Sequence, residues 1–104
     1  MKTSFLDPKP ESPAYAELTV SDTAVGLAEA TPAMPEGTKR AYIACETANV
    51  RWKADGSDPT SSAGHLIVAG DSVSFTNRDY TDLLKAIKFI RVTVDAKLTI
   101  TYDP

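Results

Sequence analysis

The segment from Lys39 to the end of the chain consists of short apolar–polar alternations, separated by turn sequences about every ten residues. Successive side chains of a strand point to opposite faces, so an alternating segment can bury one face and expose the other to water. Many short strands joined by frequent turns are typical of an antiparallel sandwich or barrel. The sequence therefore predicts a mainly β fold, a small antiparallel β-sandwich or barrel.

One segment, "NRDYTDLLKA", interrupts the alternation and predicts a short helix. Asn77 is a favourable N-cap and Asp79 suits the first helical turn, where acidic side chains interact well with the helix dipole. Tyr80, Leu83 and Leu84 share one face of a helix because they are spaced by three and four residues. We expect a helix of two or three turns here.

The alternation also predicts which side chains form the core. These are Leu18, Val20, Ile43, Cys45, Val50, Trp52, Leu66, Val68, Val73, Phe75, Leu83, Ile87, Phe89, Leu98, Ile100 and Tyr102. Ile90, Val92 and Val94 have the opposite parity to Phe89, so they belong to the other face of their strand. That second apolar set needs its own cover, from the short helix or from a neighbouring subunit.

Residues 1–14 are predicted to form an extended, proline-rich N-terminal arm, and residues 15–104 a single sandwich domain. Pro8, Pro10 and Pro13 lack the backbone N–H that helices and sheets require. A chain of 104 residues has the usual size of one domain.

Charge and hydropathy restrict the classes of partner. Residues 1–38 contain two lysines and six acidic residues, a charge of −4, and residues 39–104 contain nine basic and eight acidic residues, a charge of +1. This asymmetry predicts an acidic arm on a near-neutral body, and the total of −3 argues against nucleic-acid binding. The N-terminus has no signal-peptide pattern, and no apolar run approaches the ~20 residues that span a bilayer. We expect assembly in the cytoplasm, with no membrane or nucleic-acid partner.

The polar loop from Asp55 to Gly64 contains two carboxylates and could be taken for a ligand site. An EF-hand beginning at Asp55 would need Gly and Glu where this chain has Thr60 and Leu66. A Walker phosphate loop ends in Gly-Lys-Ser/Thr, which does not occur here. The loop is therefore predicted to be a turn without a structural metal; the alternatives are a loose cation site that uses Asp55 and Asp58, or a contact loop for a neighbouring subunit.

Groups for catalysis are few. His65 is the sole histidine and Cys45 the sole cysteine, so neither a metal site built on nitrogen and sulfur nor an intramolecular disulfide is expected. Alternation places Cys45 and Trp52 on apolar faces, which favours the core for both, although Trp52 could instead anchor a partner. The chain is predicted to be a non-enzyme without a cofactor.

Two sets of residues are candidates for partner contacts. Arg51, Lys53, Lys88 and Arg91 could form a basic stripe, either as a solvated sheet face or as a surface that meets the acidic arm of another subunit.

The second set lies in the arm itself. Phe5 and Leu6 form an apolar pair in a segment too polar to fold alone. We expect residues 1–14, together with the Thr31–Gly37 stretch, to dock on a neighbouring protein.

Two runs, "VRWKADGSDPTSSAGHLIVAGDSVSF" and "AIKFIRVTVDAKLTITY", resemble small virion proteins of tailed bacteriophages. The shared pattern covers about half of the chain and leaves residues 1–38 unassigned. It comprises Val50 to Lys53, Asp55 to Ser57, Pro59-Thr60, Gly64-His65, Ala69 to Asp71, Lys88 to Arg91, and Leu98 to Tyr102. The resemblance implies a compact β-sandwich that serves as a head-decoration, head–tail or other accessory structural protein, and it marks no catalytic residue.

The expected function is thus that of a non-enzymatic structural virion protein, a capsid decoration or head accessory protein. Its expected partners are the major capsid protein or other head and tail proteins, and copies of itself in a homo-oligomer. The alternative is a tail- or fibre-associated carbohydrate- or receptor-binding module. Such a module would display Trp52, Tyr42 or Tyr80 in a shallow groove.

Overall fold

The computed structural model describes residues 13–77 and 82–104, and this part of the chain forms two antiparallel sheets of four strands with one short helix. The strands are β1 (Ala14–Val20), β2 (Val25–Gly26), β3 (Arg40–Cys45), β4 (Val50–Lys53), β5 (His65–Ile67), β6 (Ser72–Thr76), β7 (Lys88–Arg91) and β8 (Ala96–Asp103). A 3-10 turn (Leu27–Glu29) follows β2, and helix α1 (Leu83–Ala86) precedes β7. The predicted fold class, a mainly β antiparallel sandwich with a short helix, is confirmed.

The first sheet has the strand order β1-β8-β3-β6, and every neighbouring pair is antiparallel. Strand β8 is central, and its Ile100 lies opposite both Ala16 and Ile43. The three side chains point inwards and are fully buried, because the alternation on all three strands is in phase.

The second sheet has the order β2-β7-β4-β5 and is also antiparallel. Phe89 of β7 lies opposite Val25 on one side and Trp52 on the other. Phe89 is fully buried, and Val50, two residues before Trp52 in β4, is buried opposite Ile67. The inner face of this sheet packs against that of the first sheet in one hydrophobic core.

Most of the predicted core is buried, but β5 has the opposite phase. Leu66 and Val68 are 48% and 39% exposed, whereas Ile67 between them is buried. The reason is the register, because inward-facing Val50 pairs with Ile67 rather than with a neighbour of it. Trp52 is half-buried and packs against the core, together with two other predicted members, Val73 and Leu83.

The helix is shorter than predicted and begins later. It starts at Leu83, lasts four residues and is capped by the Asp82 side chain, so the prediction that Asn77 is the N-cap is wrong. The Asn77 Oδ1 nevertheless accepts the N–H of Leu84 at 2.9 Å. Residues 78–81 lie outside the described part of the chain. None of the described helices is long and apolar enough to cross a membrane.

The acidic character of the first third of the sequence belongs largely to the sandwich. Glu17, Asp22, Glu29 and Glu36 lie among the described residues, and Glu17 is in strand β1. In residues 1–14 the side-chain charges cancel, since two lysines balance two acidic residues. The prediction of an acidic arm is therefore wrong in its charge. Residues 1–12, which include Phe5 and Leu6, lie outside the described part of the chain.

Candidate partner-binding surface

The loop between β4 and β5 is a compact turn. The Asp55 carboxylate accepts hydrogen bonds from the Ser57 hydroxyl (2.6 Å) and backbone N–H (3.0 Å), and these bonds lower the pKa of Asp55. Thr60 and Ala63 exchange two backbone hydrogen bonds further along. Pro59, which lies between these two hydrogen-bonded turns, is buried. Within residues 13–77 and 82–104, no group of three or more His, Cys, Asp or Glu side chains could hold a metal ion.

Three of the four basic residues that were expected to form a stripe share the outer face of the second sheet. Lys53 of β4 lies directly opposite Lys88 of β7, and Arg51 lies opposite Ile90. Because side chains alternate along a strand, Arg51, Lys53 and Lys88 point away from the core, on the face opposite to Phe89.

Arg91 does not join them. It pairs with the inward-facing residue Val50, at the end of its strand, and its guanidinium binds the Asp95 carboxylate at 2.6 Å. The spacing of three between Lys88 and Arg91 already places the two on opposite faces of one strand. This signal was present in the sequence.

Two of the three outer cations hold the β4–β5 loop. The Arg51 guanidinium donates to the backbone carbonyl groups of Ser61 (3.1 Å) and Gly64 (3.0 Å). The Lys88 ammonium donates to the Asp58 carboxylate at 3.0 Å. Arg51 and Lys88 thus fix the β4–β5 loop to the sheet. The sequence did not indicate this role for Arg51, because its partners are backbone carbonyl groups.

Apolar side chains occupy the same outer face. Leu66 of β5 and Ile90 of β7 flank Arg51 in one row across the sheet. Val68 and Val92 follow two residues after Leu66 and Ile90, just beyond the ends of β5 and β7, and the Val92 N–H donates to the carbonyl group of Asn49, the residue before β4. We call Leu66, Val68, Ile90 and Val92 the outer strip. Its first two members are exposed and the other two are half-buried.

The outer strip has no cover in the described part of the chain. Helix α1, which the sequence offered as one cover, packs instead on β6 and the 3-10 turn and buries Leu84 in the core. Val94, in the loop after β7, is 58% exposed. The apolar side chains stand on both sides of Arg51, and exposed apolar surface next to polar residues is a feature of protein–protein interaction sites. Sequence reasoning assigned Leu66 and Val68 to the core and so missed half of this surface.

The outer face of the first sheet has a different character. Tyr15 of β1 and Tyr42 of β3 are 56% and 49% exposed, and both lie opposite Thr101 of β8. Of the other aromatic residues considered for display, Trp52 is half-buried, with ring centroids 4.6 Å from His65 and 4.7 Å from Phe75. Tyr80 lies outside the described residues.

A hydrogen-bonded network orders this face next to Tyr15. The Tyr15 hydroxyl donates to the Glu17 carboxylate at 3.0 Å, and the Lys97 ammonium binds the other oxygen of Glu17 at 3.0 Å. The bond from Lys97 lowers the pKa of Glu17, and the same bond raises the pKa of Lys97. The bond to the carboxylate raises the pKa of Tyr15. All three groups therefore keep their usual charge at neutral pH.

Replacing Lys97 with glutamine should raise the titration midpoint of Glu17 towards the value of an isolated glutamate, because the ammonium partner is lost. Because the pKa of Glu17 is lower in the folded than in the unfolded protein, the pair stabilises the fold at pH values above the pKa of an ordinary glutamate. This stabilisation is lost as the pH falls through the lowered pKa of Glu17. NMR titration of the carboxyl carbon measures the midpoint. The control Lys85→Gln removes a lysine that pairs with Asp82, and it should leave Glu17 unchanged. An unchanged midpoint in Lys97→Gln would contradict the pairing.

Cys45 and His65, the two groups considered for catalysis, contact other residues rather than each other. The buried Cys45 thiol donates to the Ala48 carbonyl at 2.9 Å, and burial raises the pKa of the thiol. A thiol with a raised pKa remains protonated at neutral pH and is a poor nucleophile. The His65 ring packs on Trp52 at the start of β5.

Comparison of the chain with protein-family models, with curated proteins and with solved structures finds no match in any of the three.

Proposed function

We propose that this chain is a non-enzymatic structural protein of a tailed-phage virion, a capsid decoration or head accessory subunit that binds neighbouring capsid subunits. The observation that carries the proposal is the uncovered outer strip beside Arg51, Lys53 and Lys88 on the second sheet. The resemblance of the two β-rich runs to small virion proteins supports the phage setting.

The strip suits weak binding that is repeated many times. Burying the exposed part of one aliphatic side chain contributes about 1 kcal/mol at about 25 cal/mol per Å² of apolar surface. Four such residues provide too little for tight binding of one isolated copy, given the entropy that association costs. On a symmetric shell, several copies or contacts act together, and the effective concentration of each second contact is high.

The basic residues beside the strip determine the character of the partner. Lys88 is paired with Asp58, so the positive charge on this face of the sheet comes from Arg51 and the half-exposed Lys53, and it favours an acidic surface on the neighbouring subunit. The loop that Arg51 and Lys88 hold in place borders the strip and restricts how a partner can approach. Residues 1–14, with the apolar pair Phe5 and Leu6, supply a second contact in this proposal.

The decisive experiment places a charged variant of the strip into the phage that encodes the chain. Leu66→Glu with Val68→Glu should lower the copy number in purified particles at least tenfold, because two carboxylates replace the exposed apolar contact. Quantitative mass spectrometry of particles and of soluble lysate measures incorporation.

The matched control is Ser72→Glu with Ser74→Glu, which adds the same charge at exposed positions of the first sheet. Both variants should melt close to the wild-type temperature, since all four side chains are exposed. Normal incorporation of the strip variant would show that the strip is not the contact. Absence of the wild-type chain from purified particles would refute the virion role itself.

A further inference from the structure

The exposed tyrosines of the first sheet are separated by a defined distance. Tyr15 and Tyr42 lie on the two strands that flank β8, and both are paired with Thr101. Neighbouring strands are about 4.8 Å apart, so the two side chains leave the sheet roughly 10 Å from each other. Each ring is about half exposed. A ligand that contacts both must therefore be extended and lie across the strands.

The orientation of the Tyr15 ring is restrained by its hydroxyl group. Glu17, the acceptor of that hydroxyl, stands two residues further along the same strand and on the same face. The tyrosine side chain must therefore lean along the strand towards Glu17. Tyr15 is 56% exposed, which leaves ring surface free for stacking.

The Glu17–Lys97 pair offers hydrogen-bonding groups beside this ring. An ionised carboxylate can accept about four hydrogen bonds, and an ammonium can donate three, so each has capacity beyond the 3.0 Å contact between them. The pair carries no net charge, and the nearby Glu46 carboxylate, which accepts from the Thr99 hydroxyl at 3.4 Å, adds a negative charge that disfavours an anion. The pair can accept from one hydroxyl and donate to an adjacent one, which suits a neutral polyol.

From these features we infer that Tyr15, Glu17, Tyr42 and Lys97 form a binding site for a neutral oligosaccharide. A pyranose ring has an apolar C–H side and a rim of hydroxyl groups. The C–H side stacks on a tyrosine ring, whose π face carries negative charge density. Vicinal hydroxyls bind Glu17 and Lys97, while a second sugar further along the chain stacks on Tyr42. The site lies on the opposite sheet from the outer strip, so glycan and subunit can bind together.

Three oligosaccharides of different linkage, cellohexaose, chitohexaose and maltohexaose, are suitable probes, together with a glycan array. At least one of these sugars should shift the backbone NMR signals of Tyr15, Glu17, Tyr42 and Lys97 in the full-length chain. The double variant Tyr15→Ala with Tyr42→Ala should weaken that binding at least tenfold, because both stacking surfaces are removed.

Two further variants separate stacking from other effects. Tyr15→Phe keeps the aromatic ring but loses the hydrogen bond to Glu17. It should therefore bind the sugar more tightly than the double alanine variant does. Leu66→Glu with Val68→Glu alters the outer strip alone and should bind the sugar as the wild type does. The inference is overturned if the chain binds no sugar on the array and none of the three probes shifts these NMR signals. Equal binding by the double alanine variant overturns it as well.

Discussion

Replacing Phe89 with alanine should lower the free energy of unfolding by about 3–5 kcal/mol, because the substitution leaves a cavity in a core that cannot collapse around it. Phe89 is fully buried and lies between Val25 and Trp52, at the centre of the second sheet. A small domain has about 5–15 kcal/mol of total stability, so this loss is a large part of it. Urea denaturation followed by circular dichroism measures the change.

Val94→Ala is the matched control, since it also shortens an apolar side chain but at an exposed position. It should change stability by less than about 0.5 kcal/mol. If Phe89→Ala cost no more than this control, the inward phase assigned to β7 would be wrong. Phe89→Leu, which fills most of the volume, should fall between the two.

Replacing Gly64 with alanine should destabilise the protein by about 2–4 kcal/mol, the sum of backbone strain and overpacking. Gly64 has a φ of +132°, which side chains rarely tolerate. An added Cβ would lie 3.1 Å from the Trp52 carbonyl oxygen and 3.2 Å from the Cβ of both Arg51 and Pro59. These are backbone or near-backbone atoms, so the strand and loop themselves would have to move.

Gly70→Ala separates the two causes. Gly70 also has a positive φ, of +94°, but nothing lies within 4 Å of its added Cβ. It should therefore pay only the strain, about 1–2 kcal/mol. Thermal melting of the two variants gives the difference, which reports the tight packing of the loop against β4. Equal melting temperatures would mean that the loop does not pack there.

The long strands were predictable because their pattern has one solution. In β8, eight alternating residues leave a single face that can be buried, and the predicted Leu98, Ile100 and Tyr102 are its inward residues. Strand β5 has three residues inside the apolar run Leu66-Ile67-Val68, where both phases bury an apolar side chain. There the register with β4 decides, and register depends on partners distant in sequence.

The two surfaces could be predicted only in part for the same reason. The alternation of side chains places Arg51 and Lys53 on one face of β4. It does not predict that Lys88 of the neighbouring strand β7 lies directly opposite Lys53. Tyr15 and Tyr42 are far apart in sequence, and they share a face of the sheet because their strands both pair with β8 at Thr101. The carbonyl partners of Arg51 belong to a loop whose path no local pattern determines.

The central place of β8 in the first sheet has a consequence for how the protein is made. Ala14 pairs with Tyr102 and Val20 with Ala96, so β1 must wait for the strand that is synthesised last of those described. Until Ala96–Asp103 leaves the ribosome, β1 and β3 lack the neighbour they share, and their edges can pair with other chains. Folding of the first sheet should therefore begin only after β8 has been synthesised, and it should be slow for the size of the domain, on the order of milliseconds to seconds. Fast overexpression would then favour inclusion bodies, and slower synthesis at low temperature would favour the native sandwich.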